Sequence, residues 1–265
     1  MKENIKKTLT VFQIILLLSF QLKGQEKYNL SYPQEAVILG SGSALALVSL
    51  FIEQQSSINP QEIFLLDKNR INLFDRSATY YYSKNLSLAS DVLLIATVSL
   101  PLSFLFFDKT KEDIFSIGVM YLETLTLTYG LTNLTKNIVQ RYRPYAYNSD
   151  VPLSEKLTLD TKKSFFSGHS SAAFASAVFF STIYSDQISS EKSKTLVWAG
   201  SLTLASSVAL LRYFSGKHFP TDIIAGAVVG GLVGYSIPKL HQKKSNLVMS
   251  LPEGSNLISF KYYFR

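Results

Sequence analysis

Cysteine is absent from this sequence, which excludes a disulfide scaffold, thiolate metal centres and a cysteine nucleophile. Histidine is nearly as scarce, three in 265 residues, so a multi-histidine metal centre is hard to assemble. Charge is also short: Asp, Glu, Lys and Arg make up 17% of the chain, against about 25% in an average soluble domain. With 13 Gly and 8 Pro, collagen-like and low-complexity classes are excluded. What takes their place is apolar. The chain is 47% hydrophobic and 13% aromatic, with a positive mean hydropathy, and that balance excludes disorder. A formal charge of +7 suits an anionic partner such as nucleic acid, a phospholipid headgroup or a phosphate ester. The apolar content puts lipid first, and nucleic acid is not expected as a partner.

The length suits one large domain. Lys2, Lys6 and Lys7 precede an apolar stretch from Leu9 to Leu22, the pattern of a targeting segment. Residues 1–24 are therefore expected to be a cleaved signal peptide or an N-terminal anchor. Six further apolar segments follow, at Ala36–Ile52, Val92–Phe107, Phe115–Leu134, Ser170–Tyr184, Thr195–Leu211 and Ile223–Ile237. Singly, several lie between a buried core helix and a membrane helix. Six in so short a chain, with mostly short charged loops, predict an all-α polytopic membrane helical bundle over residues 25–245. Gly226, Gly230 and Gly234 form consecutive G-x-x-x-G steps, which let membrane helices approach closely. The alternative is a soluble all-helical protein with buried helices. Glu62–Arg76 places Ile63, Leu66, Leu73 and Phe74 near one helical face, fitting a helix at a membrane surface or a plain solvated one. Residues 246–265 alternate apolar and polar around Pro252-Glu253-Gly254-Ser255, which predicts a short β-hairpin.

Three polar clusters fall at the ends of apolar segments. In the first, Lys136 and Arg143 stand seven apart, two helical turns, so both cations project from one face. A guanidinium fork and an ammonium point charge together suit a phosphate. In the second, Ser167 is a plausible N-cap, Gly168 lets backbone come close to a ligand, and His169 stands beside a helix start whose free N–H groups favour an anion. In the third, Asp222 lies four residues after His218, close enough to accept a ring N–H and set the tautomer; Arg212 precedes them. Each cluster alone reads as a basic flank or a capped helix start. Together they place three cations, an anion-binding helix start, two histidines and a carboxylate on one side of the membrane. That set fits phosphoryl transfer without a metal, where positioning and charge neutralisation carry the catalysis.

At these residues the sequence resembles the type 2 phosphatidic acid phosphatase (PAP2) superfamily, whose pattern is K-x6-R-P, then P-S-G-H, then S-R-x5-H-x3-D. Lys136, Arg143 and Pro144 match the first block, Ser167, Gly168 and His169 the second, and Arg212, His218 and Asp222 the third. The resemblance covers about Phe115 to Ile237. Phe166 stands where the family has Pro, and Leu211 where it has Ser, which bears on loop shape and one hydrogen bond to phosphate. The resemblance implies that His218 attacks phosphorus and becomes a phosphohistidine, with Asp222 orienting it. It implies that His169 protonates the leaving oxygen and then activates water. Lys136, Arg143, Ser167, Gly168 and Arg212 would hold the phosphate oxygens, and no metal or other cofactor is expected. The implied substrate is a membrane lipid phosphate or pyrophosphate. Two alternatives are a non-catalytic membrane protein that binds lipid phosphates and a vanadium haloperoxidase-like enzyme.

Related lipid phosphatases in bacteria often face the periplasm, so an inner-membrane protein with a periplasmic site is expected by analogy. Six spans after a cleaved signal instead put the clusters on the cytoplasmic side. A periplasmic site needs the N-terminal segment not to cross, or Ala36–Ile52 not to span. Glu123 and Asp91 are carboxylates in or beside apolar segments and so are candidates for a functional task. Glu123 is expected to pair with a cation or another helix, Asp91 to mark a helix end, and His241, in a basic tail, to lie at the surface.

Overall fold

The computed structural model describes residues 27–53 and 58–243 and the backbone of 246–250 and 259–263. The targeting segment expected over residues 1–24 lies outside these residues. Among the described residues six long helices make the bundle: α1 (Tyr32–Glu53), α4 (Lys84–Ser99), α5 (Ile114–Val139), α7 (Gly168–Gln187), α8 (Glu191–Phe214) and α9 (Pro220–His241). Three short ones, α2 (Pro60–Phe64), α3 (Leu73–Arg76) and α6 (Leu153–Lys156), lie in the connections.

α7 is the axis. It packs against α9, α8, α5 and α4, and its composition explains why four neighbours fit. Ser170, Ser171, Ala173, Ala175, Ser176, Ala177 and Ser181 are all buried, and such small side chains let other helices come close. Their hydroxyls are satisfied sideways: Ser171 pairs with Thr132 at 3.0 Å, Ser176 with Tyr121 at 2.8 Å and Ser181 with Ser201 at 2.6 Å. α1, α5, α8 and α9, and α4 together with the 3₁₀ stretch that continues it to Phe106, are long and apolar enough to cross a membrane; α7 is not among those five spans. The sequence suggested an apolar span over Ser170–Tyr184, and the helix is there, about 30 Å long by its rise. It contacts protein instead of lipid, which is why it tolerates so many hydroxyls.

Large apolar side chains cover the outside of the bundle. Val37, Leu47 and Phe51 on α1, Leu88, Val92 and Ile95 on α4, and Ile224, Val228 and Leu232 on α9 are all exposed. Stripes of this kind on several helices fit hydrocarbon and would be a liability in water. The chain is a membrane helical bundle.

The glycine steps seat α9 on α7. A Cβ on Gly226 would stand 2.6 Å from the Ser167 carbonyl oxygen, and Cβ atoms on Gly230 and Gly234 would collide with the Ser171 and Ala175 carbonyls. Gly130 of α5 meets the Gly42 carbonyl of α1 in the same way. At the end of the bundle where α7 finishes, Asp186 holds Lys239 Nζ at 3.0 Å, the Gln242 amide at 2.9 Å and the Tyr28 hydroxyl at 3.1 Å. Residues 246–250 and 259–263 pair as an antiparallel two-stranded ladder, with Asn246 opposite Tyr263.

Three expectations need correction. Val92–Phe107 is not one helix: α4 starts two turns earlier, where the Ser83 hydroxyl caps Leu86 N–H at 3.2 Å. It ends at Ser99, and Leu100–Phe106, containing Pro101, continues as a 3₁₀ stretch. Asp91 is therefore in mid-helix. Glu62–Arg76 is not one helix either, but α2, a 3₁₀ turn and α3. Of its four predicted face residues only Ile63 is buried, while Leu73 and Phe74 are exposed. His241 is buried, not at the surface. α9 continues through Pro238 to His241, and the stretch before α1 folds back across it, with Asn29 N–H donating to the His241 carbonyl at 2.8 Å.

Substitution of Gly230 by Leu should force α7 and α9 apart, and overpacking of this kind costs roughly 1–3 kcal/mol or more. Thermal unfolding in detergent is expected to show a clear fall in Tm. An unchanged Tm would mean that the two backbones do not touch.

Candidate active site

All three predicted clusters meet at one end of the bundle, because α5 and α8 finish there and α7 and α9 begin there. α5 runs past the expected end at Leu134 to Val139, which puts Lys136 in its last turn. The chain leaves it at Gln140 through a left-handed turn (φ 47°). Ser167 caps α7, its hydroxyl accepting from Ser170 N–H at 3.3 Å. A Cβ on Gly168 would stand 3.4 Å from Lys136 Nζ, so the ammonium lies over that helix start. Ser167 N–H donates to the Asp222 carbonyl at 3.0 Å, which fastens the second cluster to the third.

His218 is at the centre, 1% exposed. Arg143 Nη1 donates to its Nε2 at 3.2 Å. Since guanidinium has no acceptor, Nε2 carries the lone pair and Nδ1 the proton. Asp222 Oδ2 is 3.7 Å from Nδ1, too far for a hydrogen bond. That oxygen is already occupied by the Ser164 hydroxyl at 2.6 Å and Phe219 N–H at 2.9 Å. The expected short contact between Asp222 and the ring is thus a near approach, and Nδ1 has no hydrogen-bond partner among the described residues. Burial pushes the His218 imidazole well below its ordinary pKa, and the cations Arg143, Lys136 and Arg212 and the nearby His169 push it further. The ring is neutral at working pH.

The structure adds residues that the motifs do not contain. Arg141 Nη1 meets Asp222 Oδ1 at 2.5 Å, and its Nη2 meets Asp75 Oδ2 at 2.9 Å. Asp75 in turn accepts from Thr221 N–H at 3.0 Å and Thr221 Oγ1 at 2.8 Å. A carboxylate–guanidinium–carboxylate chain therefore braces the start of α9. Nothing in the sequence linked Asp75 to this end, since the two are far apart along the chain. Asp91 is a second such residue. Its Oδ1 accepts from His169 Nε2 at 2.6 Å and lies 3.4 Å from Arg212 Nη1. Arg212 Nη1 also donates to Ser87 and Ser90 at 3.0 and 3.1 Å. Asp91 sits one helical turn from Ser87 on α4, so the signal was a polar face on an otherwise apolar helix.

Asp160 stands where an anion would. Its Oδ1 is 2.6 Å from Arg143 Nη2, and its backbone carbonyl accepts from Arg143 Nε at 2.8 Å. Against the upward push of burial, Arg143, Lys136 and Lys217 hold this carboxyl below its usual range, so it is ionised at neutral pH. Lys217 beside it is pushed down by burial and by Arg143.

A cleft of about 710 Å³ opens from this end between α4 and α5, with α7 as its floor. Leu94, Val98, Leu125 and Tyr129 line it, and Lys136, Gly168 and His169 stand at its polar end.

Residues 117–246 match the sequence model of the PAP2 superfamily. This stretch of the chain belongs to the PAP2 superfamily. Among curated proteins, the chain is similar to a "Lipid A 4'-phosphatase" of Porphyromonas gingivalis. Identity is 32% over 146 residues, covering 53% of this chain and 57% of that protein. A "Probable diacylglycerol pyrophosphate phosphatase 1" of Schizosaccharomyces pombe is 27% identical over 195 residues, covering 63% of this chain and 70% of that one. The alignment thus spans little more than half of the first relative's length. A solved transmembrane PAP2-type phosphatidylglycerolphosphate phosphatase from Bacillus subtilis is 17% identical, with a TM-score of 0.44, covering 88% of this chain and 94% of that one.

Replacing Asp160 by Asn should leave Arg143 open to an external anion. Because the Asp160 side chain is half exposed, the gain is moderate, roughly three- to tenfold in the Kd for inorganic phosphate. Calorimetric titration of the purified protein checks it. Weaker phosphate binding in the variant would show that Asp160 supports the pocket instead of competing for it.

Proposed function

We propose that the chain is a membrane phosphatase that removes phosphate from a lipid phosphate or pyrophosphate through a phosphohistidine intermediate. The observation that carries this reading is the neutral His218 ring among three cations, Lys136, Arg143 and Arg212, beside the polar end of an apolar cleft. The nucleophilic lone pair and the charges that neutralise a phosphoryl group converge on one point.

Substrate phosphate displaces Asp160 from Arg143 Nη2, draws Arg143 Nη1 off His218 Nε2 so that its lone pair is free, and is held by Lys136, Arg143, Arg212, Ser167 and the Gly168 N–H. His218 Nε2 attacks phosphorus, the bond from phosphorus to the leaving oxygen breaks, and His169 protonates that oxygen. His169, now neutral, takes a proton from water, which attacks phosphorus and breaks the P–N bond to release phosphate. Asp222, tied down by Arg141, Ser164 and Phe219 N–H, places negative charge 3.7 Å from His218 Nδ1–H, where imidazolium charge develops. Burial and the Arg212 charge push the His169 imidazole down, and Asp91 positions it and offsets part of that push; the negative charge of bound phosphate favours the protonated form further. None of these steps uses a metal.

The cleft favours a lipid over a soluble ester. It lies on the outside of the bundle between two helices with apolar outer faces, so an acyl chain can enter from the bilayer while its headgroup stays at the cationic end. The relatives are named for a lipid phosphate and a lipid pyrophosphate, and both fit that division. We infer a site facing the periplasm from a bacterial inner membrane; analogy with bacterial lipid phosphatases supports it, and with α1 crossing it needs the N-terminal segment not to cross.

Phosphate release by detergent-purified protein on a panel of lipid phosphates and one soluble ester tests the activity. His218→Ala should abolish turnover, and near-normal release would reject the nucleophile. Asp222→Asn should lower kcat by orders of magnitude with little change in KM, the pattern of lost transition-state stabilisation. Because His218 is held neutral, the acid limb it imposes on kcat/KM should fall well below pH 6.5. A limb at or above that value would place the working histidine elsewhere.

Topology reporters in the 156–163 loop, at the catalytic end, and the 108–113 loop, at the other, should report opposite sides, with the first periplasmic. A cytoplasmic result for the first reverses the assigned orientation. The same result for both would contradict the bundle's count of crossings.

A further inference from the structure

Every group the proposed reaction uses lies at one end of the bundle. A second cluster of ionisable side chains occupies the opposite half, and that chemistry gives it no task. Glu35 comes from the first turn of α1, Glu123 from α5, and His241 is the last residue of α9. Along α9, His241 is about 28 Å from Asp222 by helical rise. All three are buried, at 7%, 0% and 1% exposure.

His241 Nε2 lies 3.3 Å from Glu35 Oε1 and 3.3 Å from Glu123 Oε2. The other ring nitrogen, Nδ1, is 2.8 Å from the Ile237 carbonyl and donates its proton there. A neutral ring held in this way turns its lone pair at Nε2 toward two carboxylates. Both oxygens of Glu123, Glu35 Oε2 and His241 Nε2 are buried without a hydrogen-bond partner among the described residues. Glu35 Oε1 is held by Ser31 N–H at 2.9 Å. Among the described residues no Lys or Arg pairs with either carboxylate. A carboxylate buried with both oxygens unpartnered, facing a second carboxylate and an imidazole lone pair, needs positive charge between them, a metal ion or a proton.

We propose that Glu35, Glu123 and His241 bind one divalent metal ion of the zinc class, which ties α1, α5 and α9 together. Two carboxylates and a neutral imidazole carry two negative charges, matching a divalent ion. The imidazole and the small number of protein donors disfavour calcium and magnesium, which take six or more oxygens. With ligand bonds of about 2.0–2.1 Å, neighbouring donors on a tetrahedral ion stand about 3.3 Å apart, the spacing of Nε2 from both carboxylates. The Ile237 carbonyl and Ser31 N–H are then the outer partners that fix ring and carboxylate. α1 packs chiefly on α5, so a metal bridge to the end of α9 would close that side of the bundle.

The test uses the full chain purified in detergent without chelator. Elemental analysis should find about one zinc or similar ion per chain in the wild type. The His218→Ala variant should hold the same amount, because the catalytic end is not involved. After chelator treatment, added Zn2+ should restore stoichiometric binding and raise Tm. Co2+ in its place should give the intense visible absorption of a tetrahedral site. Glu123→Gln and His241→Gln should hold no metal, show no Zn2+-dependent rise in Tm and give no cobalt spectrum. A wild type that binds neither ion and shows no Tm response overturns the proposal and leaves a proton shared among the three groups. Unchanged metal binding in folded Glu123→Gln overturns it too. If neither variant folds, the metal content and cobalt spectrum of the wild type decide.

Discussion

Helices α7 and α9 run backbone against backbone, and the site depends on that seam. The first contact, Gly226 against the Ser167 carbonyl, lies one turn from Asp222. Ser167 N–H closes the same junction on the Asp222 carbonyl. Any side chain in the seam would move the Ser167–His169 helix start away from His218 and separate the phosphate-binding end of α7 from the nucleophile. Glycine on α9 and serine or alanine on α7 therefore act on chemistry they never touch.

A buried cluster of like charges needs support, and the structure supplies it in pairs. Asp75 and Asp222 flank Arg141, Asp160 faces Arg143, and Asp91 lies by Arg212 and His169. Without those carboxylates the cations would repel one another in a medium that screens poorly. The arrangement also separates tasks. Asp75 and Asp222 are enclosed and fixed, whereas Asp91 and Asp160 are about half exposed and stand where substrate and leaving group must pass. The orienting carboxylate follows the same logic. Asp222 accepts its hydrogen bonds from the Ser164 hydroxyl, Phe219 N–H and Arg141, and it acts on His218 through charge at 3.7 Å.

Much of this was legible in advance. The six helices follow from runs of apolar residues, the tight seam from Gly226, Gly230 and Gly234, and the meeting of the three clusters from the parity of the segments. The errors have specific causes. Asp91 was assigned to a helix end because the apolar run begins at Val92, but a cap at Ser83 starts the helix two turns earlier. His241 was assigned to a tail because the apolar run ends at Ile237, and only the chain folding back over α9 buries it. α7 looked like any other span because composition does not say which neighbour a helix faces.

The sequence by itself determined roughly where the six long helices lie, which of their ends carry charge, and the spacing inside each motif, since all of these are set by neighbours a few residues apart. Tertiary structure alone decided which carboxylate meets which cation. Asp75 with Arg141, Asp160 with Arg143, Asp91 with His169, and Glu35 with Glu123 and His241 are pairings between separate elements. They depend on how helices are rotated and stacked, which local pattern does not encode.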